Sequence, residues 1–482
     1  NNLDPRQIEI VNVTSRLNDG YNIVIFSSQA EDTVELTNVV SRNSNPNPND
    51  DGGDDADGIE IAAETVTVEE TTVIDSEDTG LEIFAGKEGT VNIQDSTFAN
   101  NGVVSSNDAF DEEFNEDGIS IASAQDVSIK NTTVINSKEN GIEILGSDAI
   151  AGGRTIELIN VTSRLNGDVS GHNIEIFGTS DVDTVELTNV VSRNSNPNRD
   201  GGRDDDGIEI AAETVTVEET TVIDSEDTGL EIFAGKEGTV NIQDSTFANN
   251  GVVSSNDAFD EEFNEDGISI ASAQDVSIKN TTVINSKENG IEILGSDAIA
   301  GGRTVNLTNV TARANGFDGA FISGTTDSDT VSIANSQFNQ NDDDGLDVVV
   351  ESVNIAQTNL TRNTLAGARF AGAFTGGTLT QSSIFNNGGP AIVNEVSGTS
   401  VDATNNWWGN PSGPGTNEIA GSGNVDATDP LPAPPDPDTD TGSGSGSGSG
   451  STAITAQRTL NATEVTNGST VTVTVEANFE RS

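Results

Sequence analysis

Alternating apolar and polar residues recur in short runs along most of this chain. Typical runs are IEI at 59–61 and TVTV at 65–68. Alternation with a period of two predicts short β-strands that each bury one face. Gly, Asn and Asp between the runs predict tight turns, because these residues tolerate positive φ and bond locally to the backbone. The chain is therefore predicted to be all-β.

The runs return with a regular period. A Gly followed by alternating apolar residues opens each unit, from Gly58 and Gly80 to Gly367 and Gly389, and the shortest interval is 22 residues. Such a repeat is typical of a solenoid, whose rungs must stack because one rung cannot bury its own inward row. The predicted inward residues are Ile59, Ile61, Val66, Val68, Phe98, Ile119, Ile121, Ile142 and Ile144.

A long duplication is superimposed on the short period. Residues 57–155 recur unchanged at 206–304. A unique active site inside this block is unexpected, since any such site would occur twice. Just before the second copy, His172 stands where the first copy has Tyr21, and it is expected to be a surface residue.

Asparagine recurs at one turn of the unit. Stacked amides can bond from rung to rung, so these residues are predicted to form a structural ladder. Its members are Asn131, Asn160, Asn189, Asn280, Asn309 and Asn335. Several lie in N-x-S/T sequons, but a buried ladder residue could not carry a glycan. The expected glycosylation sites are therefore Asn461 and Asn467.

The 22-residue rung, the N/D-G-I-x-I turn, the Asn ladder and the segment ATNNWWGNPSGPG at 403–415 together resemble one family. They resemble the right-handed parallel β-helix of the pectate-lyase-like superfamily, and in particular repeat-rich surface and secreted proteins of salt-loving archaea. The resemblance covers about residues 1–425. One of the adjacent Trp407 and Trp408 is expected to cap the open end of the solenoid. Because this superfamily holds lyases, hydrolases, epimerases and structural rods, the resemblance predicts a fold rather than an activity.

The remainder of the chain differs in composition. Residues 426–452 are rich in Pro and Asp and then in Gly and Ser, which predicts a linker. Residues 453–482 alternate Val with Thr around a TNGS turn and resemble the first strands of an immunoglobulin-like domain. So short a segment cannot bury a sandwich core. It is predicted to be a partial domain or a pair of donor strands that join another chain.

Charge excludes several classes of function. The 482 residues carry 80 acidic and 20 basic side chains, a net charge of −60. A nucleic-acid binder needs a basic face. Thiol enzymes need a cysteine and zinc sites usually need several Cys or His ligands, whereas this chain has no Cys and one His. No run approaches the roughly 18 apolar residues of a membrane-spanning helix. An excess of acidic side chains on an ordered fold predicts a protein that functions in concentrated salt. There the Debye length falls to about 3 Å at 1 M, so repulsion between the acidic side chains is screened.

Four acidic insertions precede Gly58, Gly118, Gly207 and Gly267, and they are expected to emerge along one edge of the rod. Clustered carboxylates suit Ca²⁺, which takes six to eight oxygen ligands. The candidate ligands are Asp51, Asp54, Asp55, Asp57, Asp204, Asp205 and Asp206. No spacing matches a specific calcium loop, so solvated acidic loops are the alternative.

The stretch DDDGLDV at 342–348 is similar to the N-T-D-G-x-D stretch of polygalacturonase-type hydrolases. This similarity implies Asp344 and Asp347 as a general acid and base. Against it, the same D-G turn occurs elsewhere in the chain, as at Asp57 and Asp117, and the other motifs of those hydrolases are missing.

Three functional hypotheses remain open. The first is a non-enzymatic extracellular or cell-surface rod, structural or adhesive, that works in high salt. It would bind cations, surface polysaccharide, other cell-surface proteins or further copies of itself. The second is a polysaccharide lyase or hydrolase that acts on acidic glycans. The third is a subunit of an extracellular filament joined by strand exchange. No cofactor is indicated beyond Ca²⁺.

Overall fold

Parallel strands stacked rung upon rung make up the part of the chain that the structure describes. The computed structural model describes residues 5–18, 20–27, 31–44, 56–102, 116–146, 153–167, 171–178, 182–195, 205–251, 265–295, 302–324 and 328–435. Within them, 43 strands form a 29-stranded and a 14-stranded sheet, and successive rungs pair in parallel. The all-β prediction of a parallel β-helix solenoid is confirmed.

Each complete rung contributes three strands, which stack into three columns. The first column holds β3 (Ile23–Phe26), β6 (Ile59–Glu69), β8 (Leu81–Gln94), β10 (Ile119–Ala122), β13 (Ile142–Leu145), β16 (Ile174–Phe177), β19 (Ile208–Ala211), β22 (Leu230–Phe233), β25 (Ile268–Ala271), β28 (Ile291–Leu294), β31 (Ala320–Ser323), β34 (Leu346–Val349), β37 (Ala368–Phe370), β40 (Ile392–Asn394) and β42 (Ile419–Gly421).

The second column holds the second halves of β6 and β8, which run through both columns, together with β1 (Gln7–Val11), β4 (Thr33–Thr37), β11 (Asp126–Lys130), β14 (Thr155–Ile159), β17 (Thr184–Thr188), β20 (Thr214–Glu218), β23 (Thr239–Gln243), β26 (Asp275–Lys279), β29 (Thr304–Thr308), β32 (Thr330–Ala334), β35 (Ser352–Ala356), β38 (Gly376–Thr380), β41 (Ser400–Asp402) and β43 (Asn424–Asp426).

The third column is the 14-stranded sheet. It holds β2 (Thr14–Asn18), β5 (Val40–Ser44), β7 (Thr72–Ile74), β9 (Thr97–Ala99), β12 (Thr133–Ile135), β15 (Thr162–Arg164), β18 (Val191–Arg193), β21 (Thr221–Ile223), β24 (Thr246–Ala248), β27 (Thr282–Ile284), β30 (Thr311–Arg313), β33 (Gln337–Asn339), β36 (Asn359–Thr361) and β39 (Ser383–Phe385).

The core lies between the three columns and is filled by the inward residues of every rung. All nine residues predicted to point inward are fully buried or nearly so. Equivalent residues stack directly, as Ile59 does on Leu81 and Ile119 on Ile142. The hydrophobic pattern was therefore sufficient to identify the buried face.

Where glycine precedes a first-column strand, as at Gly58, it is required by close approach rather than by backbone conformation. A Cβ on Gly58 would lie 2.3 Å from Val73 Cγ1 and 2.6 Å from the carbonyl oxygen of Gly80. Positive φ occurs instead at the asparagine turn, as at Asn131 with φ 49°. Glycine here makes room for the neighbouring rung, and asparagine supplies the left-handed turn.

The register corrects the glycine series at two places. Ala368 pairs with Ile392, so the residue stacked on Gly367 is Ala391 and not the predicted Gly389. Between Gly141 and Gly207, one rung has Asn173 at the glycine position, which the sequence pattern did not mark. The regular spacing fails there because rung length varies while the strand register is maintained.

The last rungs bury the predicted end cap. Trp408 is 2% exposed and belongs to the core, while the adjacent Trp407 is half-buried and bridges to Ser383. The chain divides into a unit of residues 1–437 and a unit of residues 438–482. The predicted C-terminal strands at 453–482 and most of the predicted linker lie outside the described residues.

The outward residues of the first column place like charges on top of one another. Glu143, Glu175, Glu209 and Glu231 occupy four consecutive rungs in register, and Glu60 stacks on Glu82. Directly opposed like charges destabilise a sheet by roughly 0.2–1 kcal/mol per pair. Rungs about 4.8 Å apart therefore carry a line of mutual repulsion that dissolved ions would reduce.

We expect Glu175→Gln to raise the free energy of unfolding at low salt by about 0.5–1 kcal/mol and to have little effect in molar KCl. Glutamine keeps an oxygen to accept the hydrogen bond that Asn140 Nδ2 donates to Glu175 at 2.7 Å. Urea denaturation across a KCl series measures the difference. Glu88→Gln, at an exposed position of β8, is the control. An equal effect at every salt concentration would contradict the repulsion.

Candidate functional site

The residue that precedes the glycine position performs the same structural task in many rungs of the column. Its side chain accepts the backbone N–H of the equivalent residue one rung further on. Thr79, Asp117, Asn140 and His172 accept from Asp117, Asn140, His172 and Asp206 at 2.8–3.3 Å. These N–H groups are buried, and an unpaired buried donor is costly. The D-G turns therefore need a hydrogen-bond acceptor, whether or not any of them also has a catalytic or binding role.

Asp344 takes part in this arrangement and also in an ion pair. Its Oδ1 accepts the N–H of Ala366, and its own N–H donates to Asp318 Oδ1 at 2.8 Å. Its Oδ2 accepts from Arg369 Nε at 2.6 Å. One oxygen of Asp344 thus stabilises the turn through a backbone hydrogen bond, while the other forms the ion pair with Arg369.

The structure brings Asp344 and Asp347 together around Arg369. The guanidinium also lies 3.9 Å from Asp347 Oδ2 and 2.6 Å from Glu395 Oε1. Burial raises the pKa of Asp347 to about 6, and the charge of Asp344 adds to this. Burial likewise raises the pKa of Asp318, on the preceding rung, to about 7. This cluster lies beyond the duplicated block and combines an arginine with carboxyl groups that titrate near neutrality. Arg369, Asp318 and Glu395 were missed by the sequence reasoning, because their proximity depends on register.

The predicted cation ligands fall into separate places. Asp51, Asp54, Asp55 and Asp204 lie outside the described residues. Asp57 groups with Glu60 and Glu82, with one oxygen of each within 4.8 Å of the others. Burial raises the pKa of Asp57 to about 9, and Glu82 and Asp78 add to the shift.

Asp206, by contrast, groups with His172 and Glu209, while Asp205 Oδ1 accepts the N–H of Gly171. The neighbouring Asp205 and Asp206 thus have different roles. A further group with ligand atoms within 4.8 Å of one another joins Asp318, Asp343 and Asp344. The structure therefore brings carboxylate oxygens of different rungs together.

The expectation that His172 is a surface residue is wrong. It is 8% exposed, its Nδ1 accepts the N–H of Asp206 at 2.9 Å, and its Nε2 lies 3.1 Å from Glu209 Oε2. An accepting Nδ1 places the imidazole proton on Nε2, which donates to Glu209. Coordination of a metal through Nε2 would remove that proton, and the arrangement therefore fits a hydrogen-bonded group better than a metal centre. Burial lowers the pKa of His172 to about 4.

The predicted asparagine ladder is present in segments along an exposed turn. Asn160 donates to Asn131 at 2.9 Å, Asn189 donates to Asn160 at 2.8 Å, and Asn309 donates to Asn280 at 2.9 Å. Asn335 occupies the same turn with φ 54°. All six ladder residues are exposed, so the expected shielding of their sequons by burial is wrong. Asn461 and Asn467 lie outside the described residues.

The family described as "Right handed beta helix region" matches residues 112–298 and 253–408. No curated protein is similar enough in sequence to count as a match.

Similar solved structures include the Dettilon tailspike protein, with 13% identity and a TM-score of 0.33, covering 80% of this chain and 68% of the other. Pectate lyase Pel9A has 14% identity and a TM-score of 0.33, with 72% and 69% covered. The A-module of mannuronan C-5 epimerase AlgE4 from Azotobacter vinelandii has 13% identity and a TM-score of 0.32, with 83% and 91% covered.

Since the chain has one histidine, the imidazole signals in an NMR titration report His172 alone. We expect a midpoint near pH 4, because burial lowers the pKa of His172 to about 4. The folded pKa is below the unfolded value of about 6.5, so this residue stabilises the fold above that pH, and the stabilisation is lost as pH falls toward 4. His172→Gln should abolish this contribution, which amounts to about 3 kcal/mol. His172→Tyr, which introduces the residue of the first copy, is the control for packing. A midpoint near 6.5 would contradict the burial of His172.

Proposed function

The chain belongs to the right-handed β-helix family, and from this premise we propose that it is a non-enzymatic extracellular rod that adheres to a polysaccharide in concentrated salt. The observation that supports this proposal is a surface that repeats from rung to rung. A repeating surface suits a repeating polymer, whereas a catalytic centre needs one unique set of side chains.

That surface is an apolar stripe formed by the fourth residue of successive first-column strands. Its members in register are Phe26, Ala62, Phe84, Ala122, Leu145, Phe177, Ala211, Phe233, Ala271 and Leu294. Phe26, Phe84 and Phe233 are 66%, 44% and 42% exposed. Water-exposed rings in a row are unusual for a monomeric surface and are typical of a binding face.

Large and small side chains alternate in each half of this stripe, and the two halves meet where Leu145 stacks on Phe177. Phe26, Phe84 and Leu145 lie two rungs apart with alanine between them, and Phe177, Phe233 and Leu294 repeat the pattern. Two rungs correspond to roughly 9.6 Å. Large apolar side chains two rungs apart within each half of the stripe, separated by shallow alanine positions, would let sugar units of an extended chain stack on them.

The acidic surroundings favour a polysaccharide without negative charge. The glutamates of the first column lie two residues before the stripe on the same side of each strand, and the whole chain carries −60. Anionic polymers and nucleic acids would be repelled, while sugar hydroxyl or amino groups can donate to carboxylates. The same charge disfavours lateral packing of identical chains.

Among the described residues, no helix is long and apolar enough to cross a membrane.

Adhesion can be tested by affinity electrophoresis in molar KCl, where long-range electrostatics are screened. We expect the full chain to be retarded by neutral dextran or by chitosan. The double variant Phe84→Ala, Phe233→Ala should weaken this retardation about tenfold or more, because the rings supply the contact. Leu365→Ala, at an exposed residue outside the stripe, is the control. Unchanged retardation of the double variant would contradict the proposed face.

A polysaccharide lyase or hydrolase is the second candidate, and one observation favours it. Arg369 is paired with Asp344, while burial raises the pKa of Asp347 to about 6. A charged carboxylate beside one that titrates near neutrality is an arrangement suited to general acid and base catalysis.

An assay for reducing or unsaturated sugar ends separates the candidates. For an adhesive rod we expect no release from alginate or pectate by the wild type or by Asp347→Asn. Release by the wild type that falls about 100-fold or more in Asp347→Asn, and is retained in the exposed Asp342→Asn control, would establish the enzyme instead.

A further inference from the structure

Two carboxyl groups on neighbouring rungs face each other inside the wall of the solenoid. Asp117 is fully buried, and its Oδ1 accepts the N–H of Asn140 at 2.8 Å. Its Oδ2 is buried and has no hydrogen-bond partner among the described residues. Glu143, on the next rung, lies within hydrogen-bonding range of Asp117, and its Oε2 accepts from Ser120 Oγ at 3.0 Å.

The second copy of the duplicated block contains the same pair. Asp266 is fully buried, and its Oδ1 accepts the N–H of Asn289 at 2.8 Å. Its Oδ2 and the Oε2 of the facing Glu292 are buried, and in the described part of the chain neither accepts from an N–H or hydroxyl donor. The two carboxyl groups lie within hydrogen-bonding range of each other. Glu292 is 9% exposed. The arrangement thus occurs in both copies of the same sequence.

The protein supplies no positive charge to either pair within the described residues. The lysines of these rungs are engaged elsewhere, Lys138 with Glu116 at 2.5 Å and Lys287 with Glu265. Burial raises the pKa of Asp117 and of Asp266 well above the usual range, and the facing Glu143 and Glu292 add to the shift. Further negative charge comes from Glu139 and Glu288. Each pair therefore needs either a proton or a bound cation to offset its negative charge.

We propose that Asp117 with Glu143, and Asp266 with Glu292, each bind one hard divalent cation such as Ca²⁺, so that the chain holds two equivalent sites. Both sites offer only oxygen ligands, which Ca²⁺ prefers and which transition metals prefer less. A shared proton would neutralise only one charge of each cluster. A divalent cation neutralises two and gives the orphaned oxygens a partner, which ties adjacent rungs together.

The experiment measures Ca²⁺ binding by the full chain after treatment with a chelator, using isothermal titration calorimetry at pH 7 in molar KCl. High KCl suppresses general counter-ion binding by the acidic surface. Asp117→Asn and Asp266→Asn remove the charge. They keep an oxygen that can accept the backbone N–H of the next rung, as Asn140 and Asn289 do in their own rungs. Glu143→Gln and Glu292→Gln test the opposite side of each pair. Asp126→Asn, at an exposed position of β11, is the control.

We expect two Ca²⁺ equivalents for the wild type and the control, one for either single Asp variant, and loss of both in the double variant. The two Gln variants should each lose one. Circular dichroism in the same salt checks that every variant is folded. Two equivalents retained by a folded double variant would overturn the proposal. So would a wild type that binds no Ca²⁺ and shows the infrared carbonyl band of protonated carboxyl groups at pH 7, because a shared proton would then hold each pair.

Discussion

Parallel, in-register pairing of each rung with the next is the constraint on which the whole structure depends. It places every residue over its equivalent one rung away, as Ile142 lies over Ile119 and under Ile174. A residue type that is tolerated once is therefore repeated along a column. Inside, this gives a continuous apolar core, since aliphatic side chains stack without leaving polar groups unpaired.

The same constraint decides the composition of the turns. A buried backbone N–H recurs just before many of the first-column strands and needs an acceptor in each of those rungs. Thr79, Asp117, Asn140 and His172 all provide one, though they differ in charge and shape. Glycine follows because a Cβ would collide with the neighbouring rung, as at Gly58. The motif that looks like a catalytic D-G turn is thus first a solution to backbone hydrogen bonding.

On the outer surface, stacking multiplies charge. Glu175 and Glu209 lie in register on adjoining rungs, and Asp266 faces Glu292 within the wall. Such contacts are costly in dilute solution, because burial hinders solvation while the neighbours repel. Ions in the medium, bound cations and protons all lower this cost. A fold that repeats carboxylates therefore depends on its ionic environment more than one that disperses them.

The sequence by itself determined the strands, the inward face and the stacking. Alternation placed Ile59, Ile61 and Phe98 in the core. This was possible because the apolar residues of each strand identify the face that it buries, without reference to other rungs. Spacing also identified Asp344 and Asp347 as close neighbours, one just before β34 and the other within it. It did not show that Arg369 pairs with Asp344.

Nor did the sequence show that His172 is buried, or that Ala391 rather than Gly389 continues the column. Those facts depend on which residues of different rungs meet. Insertions of variable length separate them in sequence, and strand pairing sets their register only once the rungs have stacked. Tertiary structure alone decided them, since hydrogen bonding between strands, and not distance along the chain, brings these side chains into contact.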